Sequence, residues 1–416
     1  MPTHTDSLPV WLAWLEQLHP AEIDLGLDRL RAVMDRLALP IAQAKVITVA
    51  GTNGKGSTAT LTAELLRTHG YSVGLYTSPH FLLFNERVVI QGQPVTDAQM
   101  VAALHAINQA RQDISLTYFE FTTAAALWLF CAAQVEYMVL EVGLGGRLDA
   151  VNVVDTDCAV VTSIGLDHME WLGDNLDSIA REKAGVARRH KPLLVGPTPC
   201  ADTFMAVAAQ VGAELTLVEP VELDAAGQWQ VRVNDQILSA LPTPLLPLPS
   251  AVMALQVCAA LGLTLDDARV RVVFDTVAMP GRLQRIEWRG RTLWLDVAHN
   301  PHAADYVARL LSAKHARWGI ILGMLKDKDA AGVVQSLAPL NPDWRLVTLT
   351  GTRGQSADEL AVKTGLLTAP NYASVPAALA AVAADPTIDP DMPWLICGSF
   401  HTVADALHHL NSETHG

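Results

Sequence analysis

Gly51-Thr52-Asn53-Gly54-Lys55-Gly56-Ser57 holds the densest chemistry in this chain. Glycines let backbone N–H groups close on an anion, and a lysine and a serine hydroxyl stand among them. That combination suits a phosphate cradle: Lys55 supplies a full positive charge for terminal phosphates, and Ser57 offers an oxygen to Mg²⁺. The spacing is not the usual one. A standard cradle has glycine where this chain has Val49, and a hydroxyl directly after the lysine, where Gly56 intervenes. On spacing alone, a plain glycine-rich turn competes with the cradle.

Other reactive types gather at comparable places. Thr77-Ser78-Pro79-His80 follows one short apolar run, Glu141 ends another, and Asp167-His168 follows a third. A carboxylate after an apolar strand is the common companion of a phosphate cradle, because it holds Mg²⁺ directly or through water. A second glycine loop, Gly143 to Asp149, follows Glu141. Singly, each residue has a plainer reading. Glu141 could cap a helix, His168 could be a structural hydrogen bonder, and Lys183 beside Arg181 and Glu182 reads as a solvated helix face. Asp296-Val297-Ala298-His299-Asn300-Pro301 could be a turn stopped by proline. Equivalent positions on one sheet favour a shared site.

The elements that would carry these residues can be read from apolar periodicity. Residues 45–50 form a strand, the cradle is its turn, and 58–69 form a helix with Leu61, Leu65 and Leu66 on one face. Two helices are expected over 10–38, strands at 72–76 and 86–90, and helices at 96–110 and 119–134. Strands at 137–142, 158–162, 193–195 and 215–218 alternate with helices, including one at 175–188. A hairpin is expected over 221–238, a proline-rich connection over 241–249, and a helix capped by Ser250 running to 261. Later strands are expected at 292–296, 317–322, 344–349 and 393–397. Such alternation implies an α/β protein with mainly parallel sheets and ligands beyond the carboxyl ends of the strands. The domain boundary is set near residue 288, giving domains 1–288 and 289–416.

The 416 residues suggest two to three domains and are half hydrophobic, ample for a large core, and no apolar run reaches membrane-spanning length. The formal charge of −14 argues against a nucleic-acid binder, although a local cluster can still hold anions. Cys131, Cys158, Cys200, Cys258 and Cys397 lack paired or metal-like spacing and read as reduced core thiols. With no basic-then-apolar opening at residues 1–6, a cytoplasmic protein is expected, working as a monomer without membrane or nucleic acid.

Taken in order, these motifs resemble the Mur-ligase superfamily, and within it the dihydrofolate synthase/folylpolyglutamate synthase family. The resemblance is carried by Leu18-His19-Pro20 with Ile23 to Leu27, the Gly51–Ser57 cradle with its extra glycine, and Thr77 to His80. It continues through Phe119-Glu120, Glu141 to Ala150, Gly165 to His168, Arg181 to Gly185 and Pro280-Gly281-Arg282. Asp296 to Pro301, Gly323 to Asp329 and Gly398 to Val403 complete it. The resemblance implies a P-loop-type ATPase domain followed by a smaller Rossmann-like α/β domain.

It also implies roles. Thr52, Asn53, Gly54, Lys55, Gly56 and Ser57 would bind ATP phosphates, and Ser57, Ser78, Glu141 and His168 would hold one or two Mg²⁺. Lys183 would be the lysine that the family carries as a carbamate. Ser250, Arg282 and Asp296 would contact ATP. Thr117, Tyr118, Phe119 and Glu120, with Leu148, Asp149 and Ala150, would line a pterin pocket, and His299 would help place glutamate. Catalysis would rest on Lys55, Lys183 and His299. The implied reaction is ATP-dependent amide formation from L-glutamate and either dihydropteroate or the γ-carboxylate of a reduced folate, through an acyl phosphate. Rival readings are a monofunctional folylpolyglutamate synthase, a cell-wall ligase, or a nucleotide-dependent switch without ligation. The chain departs from the family at Ser250, where Asn usually contacts the nucleotide, and at Val151, which replaces a threonine.

Overall fold

The computed structural model of the chain describes residues 2–21 and 23–414. It divides into two compact units, Met1–Val277 and Ala278–Gly416.

The first unit is built on β1 (Lys45–Ala50), β2 (Val73–Tyr76), β3 (Val88–Ile90), β4 (Gln93–Pro94), β5 (Tyr137–Glu141), β6 (Cys158–Val161), β7 (Pro192–Val195) and β8 (Glu214–Leu217). Their order in the sheet is β4-β3-β2-β5-β1-β6-β7-β8. From β2 to β8 every neighbouring pair is parallel, and β3 and β4 extend the edge antiparallel. The central strands are buried along almost their whole length and mostly apolar because both faces are covered, as parallel sheets require. The helices are α1 (Leu8–Leu15), α2 (Asp28–Leu37), α3 (Lys55–Thr68), α4 (Asp97–Arg111), α5 (Tyr118–Ala132), α6 (Met169–Leu172), α7 (Leu176–Ala184), α8 (Ala201–Val211), α9 (Leu248–Ala260) and α10 (Asp267–Thr276). A separate hairpin pairs β9 (Trp229–Val233) with β10 (Gln236–Leu241). Helix α3 packs against α9, where Ala59 and Ala63 on one and Ala251, Ala254 and Ala259 on the other are small and buried.

The second unit holds β11 (Gln284–Trp288), β12 (Arg291–Asp296), β13 (Trp318–Leu322), β14 (Pro342–Val347), β15 (Asn371–Tyr372) and β16 (Trp394–Cys397), ordered β11-β12-β16-β13-β14-β15. All pairs are parallel except β11 with β12. Its helices are α11 (Pro301–Ser312), α12 (Ala330–Leu337), α13 (Ala357–Thr364), α14 (Val375–Ala384) and α15 (Phe400–Thr414). Two mainly parallel α/β sheets are what the strand–helix alternation implies.

Three expectations shift. The boundary expected near 288 falls at Val277/Ala278, because Gln284 to Trp288 form a ladder with Arg291 to Leu295 and so belong to the second sheet. The helix expected over 175–188 ends at Ala184, where Gly185 closes it. Ser250 does not cap its helix; α9 already begins at Leu248 behind Pro247, so Ser250 lies inside the first turn. Among the described residues, no helix is long and apolar enough to cross a membrane.

Candidate active site

The cradle sits at the carboxyl end of β1. Gly51 and Gly54 have φ of 145° and 83°, a region L side chains rarely adopt, and a Cβ on Gly51 would collide with the Thr162 hydroxyl. Because Gly54 makes that turn, α3 begins at Lys55, not at 58 as the periodicity implies, and Lys55, Gly56 and Ser57 form its first turn. First-turn N–H groups have no partner within their own helix, so they are available to an anion. The cradle is fastened to the segment after β6. Thr52 N donates to Ser163 O at 2.8 Å, and Asn53 N donates to Ser163 Oγ at 3.0 Å. The Thr162 hydroxyl donates to Asn53 O at 2.6 Å, and Thr52 Oγ1 exchanges hydrogen bonds with both the N–H and the carbonyl of Gly165. Ser57 is buried. Ser250 reaches the cradle as well, its hydroxyl donating to Gly54 O at 3.4 Å. Sequence reasoning missed the holding roles of Thr162, Ser163 and Gly165; hydroxyls after an apolar strand were visible, but not which backbone they would meet.

Two lysines converge on one carbonyl. Lys55 Nζ donates to Gly51 O at 3.1 Å and Thr52 O at 3.3 Å, and Lys183 Nζ donates to the same Gly51 O at 3.0 Å. Lys183 is buried, which disposes of the solvated-face reading. Burial, and then the charge of Lys55, pull its pKa down to about 7. Its position is set by the second glycine loop. Gly146 lies so close to α7 that a Cβ would stand 2.8 Å from Glu182 O and 2.9 Å from Lys183 O. Arg147 N donates to Glu182 O at 2.8 Å, and its guanidinium pairs with the Glu182 carboxylate at 2.8 Å. Asn152 Nδ2 ties Arg147 O to Gly185 O at 3.0 and 3.2 Å. Gly146→Val should therefore push Lys183 away from Gly51. Replacing the glycine is expected to lower turnover by roughly a hundredfold or more, since small misplacements at a reacting centre carry that weight. Steady-state kinetics beside a thermal melt would check that the loss in rate exceeds what unfolding explains.

The acid comes from β5. Glu141 is paired in register with Val49, and its buried carboxylate accepts a hydrogen bond from Ser78 N at 2.9 Å. The sheet order β2-β5-β1-β6 therefore sets Ser78, Glu141, the cradle and the Asp167-His168 turn on adjacent strand ends. His168 has φ 51°, its N–H bonds Asp167 Oδ1 at 2.9 Å, and its ring Nε2 is 3.9 Å from Asp167 Oδ2. His80 is engaged elsewhere: Nδ1 accepts from Arg87 Nε at 2.9 Å, and burial and Arg87 lower its pKa.

A second cluster of side chains gathers around the start of α5 and the Gly143–Asp149 loop. Thr117 and Glu120 cap α5 reciprocally, Glu120 N to Thr117 Oγ1 at 3.2 Å and Thr117 N to Glu120 Oε2 at 2.8 Å. The Phe119 ring lies where a Cβ on Gly143 would be, and 6.0 Å from the Tyr76 ring. Tyr118 packs edge-on against Phe84, with Arg87 over both rings. Asp149 is buried and accepts from Leu144 N at 2.8 Å and Val151 N at 3.0 Å; burial nonetheless raises its pKa to about 6. Leu148 is half-buried and Ala150 buried beside it.

In the second unit, Asp296 ends β12. Its carboxylate accepts from Leu283 N and Ala298 N, both at 2.9 Å, and burial raises its pKa against the pull of Arg282. The Arg282 guanidinium lies 5.2 Å from the Phe400 ring centre, and His299 Nδ1 is 3.1 Å from Val297 O. Asn300 caps α11 through Ala303 N at 2.9 Å.

Among the described residues, no three His, Cys, Asp or Glu side chains form a metal cage. The donors present are a hydroxyl in the cradle's helix turn, a buried carboxylate and an imidazole. Such a sparse, mostly oxygen set fits a hard divalent ion that also takes phosphate oxygens and water.

These features define a protein of the Mur-ligase class. The Mur ligase middle domain family matches residues 49–216, and the Mur ligase glutamate ligase domain family matches residues 281–400. The chain belongs to the dihydrofolate synthase/folylpolyglutamate synthase family. It is 42% identical to dihydrofolate synthase/folylpolyglutamate synthase of Escherichia coli K12, over 100% of this chain and 98% of the relative. E. coli FolC in complex with DHPP and ADP superposes with a TM-score of 0.94 at 41% identity, covering all of both chains. A bifunctional folylpolyglutamate synthase/dihydrofolate synthase with Mn, AMPPNP and L-glutamate bound superposes at 0.89 with 42% identity, covering 99% of each chain.

Proposed function

We propose that this chain is a bifunctional ligase that joins L-glutamate to 7,8-dihydropteroate and to the γ-carboxylate of reduced folates, converting ATP to ADP and phosphate. The observation that supports it is the convergence of Lys55 and Lys183 on Gly51 O at a phosphate cradle, in a chain alike end to end with the E. coli enzyme. The substrate carboxylate attacks the γ-phosphorus, ADP leaves and an acyl phosphate forms. The deprotonated amine of glutamate then attacks the acyl carbon, and phosphate departs. Both steps bring anions together, so the work is charge neutralisation and alignment.

The first turn of α3 and Lys55 receive the β- and γ-phosphates, with Thr52, Asn53, Gly54 and Gly56 supplying backbone. Mg²⁺ is the proposed ion, and Ser57, Ser78, Glu141 and His168 are its proposed holders. It would screen the phosphate charge and draw electrons from the γ-phosphorus. A solved relative carries Mn with AMPPNP. Lys183 carries a carbamate in this reading, formed when its neutral amine adds CO₂ and releases a proton. Ser250 steadies the cradle through Gly54 O. Thr117 to Glu120 and Leu148 to Ala150 accept the pterin. Arg282 and Asp296 serve the nucleotide, and His299 places glutamate. The enzyme would work in the cytoplasm as a monomer.

The test is glutamate-dependent ADP release with dihydropteroate and, separately, with tetrahydrofolate. Both should support it. Turnover with tetrahydrofolate alone would make the chain a monofunctional folylpolyglutamate synthase. Release indifferent to glutamate would make it a nucleotide-dependent switch.

A further inference from the structure

One ionic network in the first unit has no part in the phosphate chemistry. Arg29, in the first turn of α2, forks between two partners. Its NH1 meets Asp24 Oδ2 at 2.6 Å, and its NH2 donates to the Asp24 carbonyl at 2.7 Å. The same NH2 lies 3.2 Å from Glu120 Oε1, and Nε lies 3.4 Å from Glu120 Oε2. His19 fastens the segment from the other side, with Nε2 at 3.2 Å from Asp24 Oδ2 and Nδ1 at 2.8 Å from Ser115 Oγ. Ser115 in turn donates to Leu18 O at 3.3 Å. Residues 23–27 make no regular structure, so these bonds hold them where they are.

The energetics single out Arg29. Glu120 is buried, and a buried carboxylate is tolerated only when paired. Glu120 is also the residue whose carboxylate caps α5, the helix that opens with Thr117 to Phe119. A planar guanidinium can hold Glu120, the Asp24 carboxylate and the Asp24 carbonyl together; an ammonium cannot span all three.

We propose that Arg29 is a positioning residue for the pteroyl substrate, acting through Asp24 and Glu120 to hold residues 23–27 against the pocket wall at the start of α5. This deepens, and rests on, the reading of Thr117 to Glu120 as the pterin wall. Arg29 touches no reacting atom. Its loss therefore weakens recognition of one substrate and leaves the phosphate chemistry alone.

Kinetics of the full chain test this with Arg29→Met, Arg29→Lys and Asp24→Asn. With residues 23–27 no longer held in place, KM for dihydropteroate should rise roughly tenfold to a hundredfold in Arg29→Met. KM for ATP, KM for glutamate and kcat should stay within about twofold of the natural chain, since additive effects are expected for distant sites. Arg29→Lys should recover part of the loss, and Asp24→Asn should show a smaller rise in the same constant alone. An unchanged KM for dihydropteroate, or an equal rise for all three substrates, overturns the proposal. If Arg29→Met does not fold, the pattern in Arg29→Lys and Asp24→Asn decides by the same criteria. The natural chain measured in parallel separates the two layers: should it turn over tetrahydrofolate but not dihydropteroate, bifunctionality fails, and the same comparison of KM values made with tetrahydrofolate decides the role of Arg29.

Discussion

Lys183→Met should give a chain that melts higher than the natural one and no longer ligates. The stability half follows from burial. An unfolded lysine titrates near 10.5, whereas the folded site holds Lys183 down to about 7. Between those two values the unfolded chain binds a proton that the folded chain does not, so stability rises as pH climbs from about 7 toward 10.5. Below pH 7 the penalty is fully present. Methionine has the length and bulk to fill the site without a charge to desolvate, so the gain should be greatest at pH 7 and below and should fade toward pH 10. Its size is on the order of a few kcal/mol, offset in part by the lost bond to Gly51 O. Thermal melts across that pH range, in buffer freed of CO₂, read it directly.

The activity half has the opposite sign. The burial that makes Lys183 costly also favours the neutral amine that would add CO₂ in the proposed carbamate, and functional sites commonly carry such a stability cost. Ligation should fall by about a thousandfold or more, the scale of losing a group aimed at transition-state charge. A methionine variant that melts lower at every pH, or that ligates at the natural rate, would contradict the assignment.

The second large effect is expected at Lys55 and Glu141, which should fail differently. Lys55→Met removes a full charge from the cradle. Its kcat/KM should drop at least about a thousandfold, and added metal should not restore it. Glu141→Gln preserves shape, and the glutamine oxygen can still accept from Ser78 N, so the fold should be undisturbed. The lost charge weakens the hold on a divalent ion. The metal concentration for half-maximal rate should rise roughly tenfold or more, with part of the rate recovered at high metal. Titrating Mg²⁺ against both variants separates the roles. An unchanged metal requirement in Glu141→Gln would remove it from the ion's surroundings.

Much of this site was legible because its signals are local. A glycine turn with one lysine after an apolar strand, and a carboxylate ending the next buried strand, are written in consecutive residues. The sheet order then did the gathering, because β2, β5, β1 and β6 are neighbours. What was not legible depends on distant contacts. Arg181-Glu182-Lys183 reads as a wet helix face, and only the approach of Gly146 to the α7 backbone shows that Lys183 is enclosed. Ser250 reads as a cap, yet it serves the Gly54 carbonyl across nearly two hundred residues of sequence. The boundary slipped for a related reason. Gln284 to Trp288 alternate in exposure on an edge strand, so their polar residues hid a ladder that belongs to the second sheet. Arg29 gave no signal, since an arginine opening a helix acquires meaning only when Asp24 and Glu120 meet it.

In the proposed reaction the substrate carboxylate attacks the terminal phosphate held at the cradle. Dihydropteroate labelled with oxygen-18 in its carboxylate, turned over with ATP and glutamate, tests that transfer directly by mass spectrometry of the released phosphate. The expected products are ADP, the amide, and phosphate carrying one labelled oxygen from the carboxylate. Phosphate without the label, or label appearing in AMP, would contradict it.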